Sequence, residues 1–200
     1  LVHLADENNY LGFVALEDTL KEDTKKGISE LSNIDEPRLI LLTGDREEVA
    51  KSISQTIGIR EYYAELMPQD KVRIIEDVIS QEKNPVVFVG DGINDAPTLA
   101  RADVGIAMGG LGSQAAIEAA DVVIMNDSPA KIPEVVKISK RTLAIARENV
   151  IFALGIKALV LVLGTVGLAN MWMAVFADVG VSIIAIINSM RILLKNPKML

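Results

Sequence analysis

Val86-Val87-Phe88-Val89-Gly90-Asp91-Gly92-Ile93-Asn94-Asp95-Ala96-Pro97 is the stretch that decides the fold. Four apolar residues make a short buried strand. It ends in two carboxylates and a carboxamide within five residues, which is poor material for a core. Such acceptors on a glycine-bracketed turn suit a hard, hydrated cation such as Mg²⁺, which takes one or two carboxylates beside a phosphate. The location agrees, because open parallel α/β sheets bind ligands outside the carboxyl ends of their strands. The plainer alternative is that Gly, Asn and Asp simply make a turn and a helix cap.

Outward from that turn, β-type runs alternate with amphipathic helical stretches, the pattern of βαβ units and a mainly parallel sheet. A strand is expected over 11–16 and a turn and helix over 18–31. A fully buried strand is expected at Leu39–Leu42, ending at Thr43-Gly44-Asp45, then a helix over 46–57 stopped by Gly58. Val72, Ile75, Val78 and Ile79 recur at helical spacing within 70–81. A short helix near 97–101 and strands over 104–107 and 122–125 complete the series. Gly109-Gly110-Leu111-Gly112-Ser113 lacks the spacing of a dinucleotide fingerprint and reads as a flexible turn into a helix.

The 200 residues carry a net charge of −7, unevenly placed. Residues 1–149 hold 16 Lys/Arg against 26 Asp/Glu, whereas residues 150–200 hold four basic residues and one acid. An acidic soluble part argues against nucleic acid as a partner, since phosphate backbones are held by clustered Lys/Arg. The lack of cysteine excludes disulfides and thiolate metal sites here and fits a reducing cytosol. Leu1 falls in mid-pattern, so the chain is expected to be the C-terminal piece of something longer.

From Pro129 a helical pattern runs into a different solvent. Between Glu148 and Arg191 the only ionisable side chains are Lys157 and Asp178. Residues 150–168 and 171–190 each supply about twenty mostly apolar residues, near what a bilayer core requires. Only Gly167–Asn170 is left as a connection, which makes an antiparallel transmembrane hairpin. Lys140, Arg141 and Arg147 precede it and Arg191, Lys195 and Lys198 follow it, so both outer ends should face the cytosol. A soluble buried hairpin is the competing reading. Lys157 lies roughly 10 Å and Asp178 roughly 18 Å from their cytosolic ends, close enough in depth for a salt bridge or a shared ion site. Ionisable groups inside a bilayer are costly and mark transport pathways by default. A carboxylate suits divalent borderline ions, whereas Cu⁺ favours thiolates and thioethers.

Thr43-Gly44-Asp45 has the make-up of a phosphate-binding turn, and Lys71, after Met67-Pro68-Gln69-Asp70, can neutralise a phosphoryl group or an aspartyl nucleophile. The order T-G-D, P-x-D-K, G-D-G-I-N-D-A-P-x-L, continued by Ala102–Gly109, resembles the haloacid-dehalogenase-type phosphorylation domain of P-type ATPases. That resemblance implies an α/β, Rossmann-type phosphorylation domain followed by a two-helix transmembrane hairpin. Its expected layout is 1–17 as the end of a nucleotide-binding region with a return strand, 18–135 as phosphorylation domain, and 136–200 as hairpin. It implies ATP and Mg²⁺, with Asp91 coordinating the ion, Asn94 and Asp95 completing the acidic turn, Lys71 at the phosphorylated aspartate, and Thr43 and Gly44 at the phosphoryl oxygens. The D-K-T-G-T motif that carries the nucleophile in this family does not occur in residues 1–200, so the nucleophile is expected upstream. Asp18-Thr19-Leu20-Lys21 resembles the family's D-x-x-R motif near bound nucleotide, with Lys in place of Arg and hence without the planar fork.

Lys157 in the penultimate helix and Asp178-Val179-Gly180 in the last resemble the Zn²⁺/Cd²⁺/Pb²⁺-exporting subgroup, not the copper exporters with their Tyr-Asn and Met-Ser-Ser patterns. The implied protein is an integral membrane pump, in a bacterial cell membrane, with its phosphorylation domain in the cytosol. Its partners would be a transported divalent metal, the lipid bilayer and upstream domains of the same polypeptide. Asp178 would bind the metal, with Lys157 as countercharge. A soluble phosphatase of the same superfamily, a P-type ATPase of another ion specificity, and a non-catalytic membrane-anchored module are the alternatives.

Overall fold

The computed structural model describes residues 2–6, 9–14, 19–34, 36–90, 93–109 and 114–195. The chain divides into two compact units, Leu1–Pro133 and Glu134–Leu200.

The first unit opens with an antiparallel hairpin of β1 (Val2–Ala5) and β2 (Tyr10–Val14). The strand expected at 11–16 therefore pairs back on β1 and does not join a parallel sheet. The βαβ series then begins with α1 (Thr24–Ser32), β3 (Ile40–Leu42), α2 (Glu47–Ile57), β4 (Glu61–Tyr63) and α3 (Pro68–Gln81). It continues with β5 (Val87–Gly90), α4 (Ala96–Arg101), β6 (Val104–Met108), α5 (Gln114–Ala119) and β7 (Val122–Ile124). β3 pairs with β4 and β5-β6-β7 form a three-stranded sheet, all parallel. The expected turn at 109–113 falls largely outside the described residues.

Alternation along β6 explains why helices cover both faces. Phe88 and Ala107 pack with Ile75 of α3, Leu99 of α4 and Ala116 of α5. On the opposite face Ile106, Met108 and Ile124 pack with Ile132, and Leu31 of α1 lies against them. β3 is half-buried and not fully buried as expected. Its partner β4 is three residues long, and of the β3 residues it is Leu42 that packs on the Phe88 cluster. Gly58 stops α2 in a left-handed conformation (φ 80°), which costs glycine little.

In the second unit, α6 (Ile132–Thr165) runs for 34 residues and includes the first apolar stretch. Gly167 at φ 75° then lets the chain reverse, with the Leu168 N–H donating to the Leu163 carbonyl at 2.9 Å. Asn170 caps α7 (Met171–Val175), its side-chain oxygen accepting from the Met173 N–H at 3.0 Å. A single π-helical turn over Phe176–Gly180 follows, then α8 (Val181–Ser189) and α9 (Arg191–Lys195). The first apolar helix ends at Thr165, short of the expected 168, and the second apolar span runs over Met171–Leu193, past the expected 190. The π turn has no counterpart in the apolar pattern. Both helical spans are long and apolar enough to cross a bilayer.

Candidate phosphoryl-transfer site and intramembrane ion pair

Strand β3 delivers Thr43-Gly44-Asp45 as a closed turn. The Thr43 hydroxyl donates to the Asp45 carboxylate at 3.0 Å and accepts the Asp45 N–H at 3.1 Å. The turn is tied to the segment after β4: the Thr43 N–H donates to the Tyr63 carbonyl at 3.0 Å, and the Leu66 N–H to the Thr43 carbonyl at 3.1 Å. A Cβ on Gly44 would stand 3.2 Å from the Leu66 carbonyl oxygen, so backbone runs close to backbone here.

Two residues after Leu66 the chain enters α3, with Met67 at its N-cap. Pro68 takes the first helical position, where no N–H is needed. The Asp70 carboxylate accepts the Met67 N–H at 3.1 Å. This spends Asp70 on capping and leaves Lys71, the next residue, to reach into the domain. Its Nζ donates to Asp95 Oδ1 at 2.8 Å, with side chains only 17% and 12% exposed. Gly90 makes this possible, because a Cβ there would lie 2.8 Å from the Asp95 Cβ. Lys71 is thus brought to the acidic turn, and Leu66, just ahead of the helix N-cap, is bonded to the Thr43 turn. Asn94 is exposed beside Asp95. Asp91 and Gly92 lie outside the described residues, as does Asp18.

The carboxylates downstream of the turn serve the sheet. Asp103 accepts the Val86 N–H, and Asp121 accepts the Gly105 N–H, each at 2.8 Å. Lys21 joins neither turn: its ammonium pairs with the Asp127 carboxylate and also reaches the Asp127 carbonyl at 3.3 Å.

Among the described residues no cluster of three or more His, Asp or Glu side chains is arranged to hold a metal ion. After Lys71 has taken Asp95 Oδ1, the donors left among the described residues of the turn are the second Asp95 oxygen and the Asn94 side chain. Few, hard oxygen donors of this kind fit Mg²⁺, which keeps several waters and takes one or two carboxylates.

In the second unit Lys157 Nζ donates to Asp178 Oδ1 at 3.0 Å, so the salt bridge allowed by their depths is formed. Asp178 stands in the π turn, a feature frequent at functional sites. Gly180 is packed beneath the Phe176 ring, and a Cβ there would approach the ring to 2.5 Å. That contact explains why glycine follows two residues after the aspartate.

A polar cluster that sequence reasoning did not single out joins α6 to α8. Asn149 donates to Ser189 Oγ at 2.9 Å and to the Ala185 carbonyl at 3.2 Å; Asn188 donates to Asn149 Oδ1 at 2.8 Å. Two uncharged asparagines in apolar runs were its only signal.

The haloacid dehalogenase-like hydrolase family model matches residues 2–103. The chain belongs to that family. This haloacid dehalogenase-like chain is 51% identical to a zinc-transporting ATPase of Synechocystis over 96% of its own length and 27% of the relative's. It is 48% identical to a cadmium, zinc and cobalt-transporting ATPase of Bacillus subtilis, over 98% of its length and 28% of that protein. A crystal structure of a zinc-transporting PIB-type ATPase in an E2.Pi state superposes with a TM-score of 0.83 at 36% identity, covering 94% of this chain and 30% of that one. The resemblance to zinc- and cadmium-exporting P-type ATPases, and the α/β phosphorylation fold followed by two apolar helices, are borne out. The chain spans little more than a quarter of the length of these curated relatives.

Proposed function

We propose that this chain is the phosphorylation-domain and final-hairpin portion of a membrane pump that uses ATP to export Zn²⁺, Cd²⁺ or Pb²⁺ through an aspartyl-phosphate intermediate. One observation carries the reading: a Lys–Asp pair set in an apolar hairpin, Lys157 with Asp178, on the same chain as the Thr43 and Lys71 turns. A soluble phosphatase needs the turns but has no use for two exposed apolar helices.

Thr43 and Gly44 receive the phosphoryl oxygens, the hydroxyl exchanging its bond to Asp45 for one to the phosphoryl group. Lys71 supplies positive charge at the acyl phosphate, and Asp95 holds the lysine so that little reorganisation is needed when that charge develops. Asp91 would hold Mg²⁺, with the Asn94 and Asp95 oxygens beside it. When bound, the ion neutralises phosphoryl charge. The rest of the work is positioning and electrostatics, as in phosphoryl transfer generally. In the membrane part, Asp178 binds the departing divalent ion and Lys157 replaces it as countercharge once it leaves. The pump belongs to a cell membrane, with the phosphorylation domain on the cytosolic side and the nucleophile supplied by an upstream part of the polypeptide.

The test is ATP-driven accumulation of zinc in inside-out vesicles containing the full-length protein, beside the same protein with Asp91→Asn. Accumulation and a phosphoenzyme in the first and neither in the second are expected. Absence of accumulation in both overturns the reading.

A further inference from the structure

The place of Lys21 in the D-x-x-K segment resembles a position near bound nucleotide, and its contacts in the structure are with Asp127. Its ammonium pairs with Asp127, 106 residues along the chain, and donates as well to the Asp127 carbonyl. Two residues on, Asp23 occupies the N-cap position of α1 but makes no side-chain bond to its own helix. Its carboxylate accepts instead from the Ser128 hydroxyl. Ser128 in turn occupies the N-cap of the short 3₁₀ turn Pro129–Lys131 and leaves that turn uncapped. Both residues forgo the ordinary use of a capping side chain and bond each other.

The backbones come equally close. Gly27 lies against Pro129, where a Cβ would stand 2.8 Å from the carbonyl oxygen. Asp127 adopts φ 53°, a left-handed conformation in which Asp is enriched. A salt bridge, a hydroxyl–carboxylate bond, a glycine contact and a left-handed aspartate converge on one seam. On one side is the segment by which the chain passes from the β1–β2 hairpin into the βαβ series. On the other is the turn that ends one residue before α6 begins at Ile132.

We propose that Lys21, Asp23, Asp127 and Ser128 form a clasp that fastens the segment entering the phosphorylation domain to the segment leaving it toward the membrane. Lys21 and Asp23 are positioning residues in that clasp and do not touch nucleotide. The clasp makes the two segments move together, so breaking it slows turnover without weakening ATP binding. The inference rests on the pump reading only for its assay.

The experiment is a double-mutant cycle in the full-length protein, comparing Lys21→Ala, Asp127→Ala and both together, with the exchange Lys21→Asp/Asp127→Lys. Each single variant is expected to lose roughly three- to fivefold in kcat for metal-stimulated ATP hydrolysis, the scale of a partly exposed ion pair, while KM for ATP changes less than about twofold. The double variant should be no slower than either single one, and the exchange should recover most of the loss. Lys21→Arg, which keeps the charge, should retain normal turnover. The clasp is overturned if Lys21→Ala raises KM for ATP about tenfold or more while Asp127→Ala leaves it unchanged. It is overturned equally if the single losses add. Absence of metal-stimulated hydrolysis in the unmodified protein would count against the pump reading alone. The same cycle read on thermal unfolding then decides: non-additive destabilisation supports the clasp and additive destabilisation overturns it.

Discussion

The molecule contains two lysine–aspartate pairs of nearly equal length, Lys71–Asp95 at 2.8 Å and Lys157–Asp178 at 3.0 Å, in opposite settings. The first is seated in the phosphorylation unit, with side chains 17% and 12% exposed; in the second they are 53% and 73% exposed on a pair of apolar helices. The first is enclosed within its own compact unit: Gly90 admits the Asp95 side chain, and Phe88, of the core cluster, lies close to Gly90. The second has only the two apolar helices of this chain around it, a chain that spans little more than a quarter of its curated relatives. A buried pair holds one arrangement, since separating it leaves an unpaired charge in low dielectric. The second pair joins two different helices within apolar runs, Lys157 from α6 and Asp178 from the π turn. The same two residue types thus serve one compact unit and one helical hairpin.

That contrast can be broken at the membrane pair with the largest effect. Asp178→Ala in the full-length protein should abolish zinc stimulation of ATP hydrolysis while phosphorylation by inorganic phosphate persists; full zinc stimulation would remove Asp178 from the ion path. Lys71→Ala should reduce phosphoenzyme turnover about 100-fold, the scale of a lost transition-state charge contact. It should also destabilise the unit by about 2–4 kcal/mol, because Asp95 is left buried without its partner. Lys71→Met with Asp95→Leu sharpens the comparison: stability measured by denaturant unfolding should largely return, while activity stays lost.

The smallest effect concerns a third, partly exposed group of charges. Arg38 donates to Glu61 at 2.8 and 2.9 Å and to Glu82 at 2.8 Å. The guanidinium holds the Glu61 carboxyl below its usual range, opposing the upward push of desolvation. A depressed acid contributes stability above its unfolded pKa and loses it as pH falls through the folded value. Glu61→Gln should therefore lower the melting temperature slightly at pH 7, and the difference from the unmodified protein should fade below about pH 4. A difference that grows in acid would contradict the assignment.

Much of this organisation was legible along the chain because it depends on local periodicity. Strands β5 and β6, helices α2 and α3 and both apolar helices follow from runs and spacings, and Gly58 and Gly167 mark true chain reversals. The hairpin partner β1 and the short strand β4 left weaker traces, since three or four residues carry little periodicity and their pairing is settled by neighbours. The π turn was invisible for a different reason. It differs from the flanking α-helix only in its hydrogen-bond register, which the residues around Asp178 do not betray.

The candidate sites divide the same way. Thr43, Lys71 and Asp95 could be picked out by type and order, but not the fact that Asp70 caps its helix while Lys71, one residue later, turns inward. Lys21 shows the limit most clearly. Its neighbours in sequence suggested nucleotide, and a partner 106 residues away claims its charge.

The sequence by itself determined two solvents, the alternation of strands and helices, and which residue types stand at strand ends, because hydrophobic period and turn chemistry act over a few residues. Tertiary structure decided which carboxylates Lys21, Arg38 and Lys71 meet. Such pairing depends on how distant backbones approach, and here glycines at 27 and 90 set that approach by leaving out a single carbon.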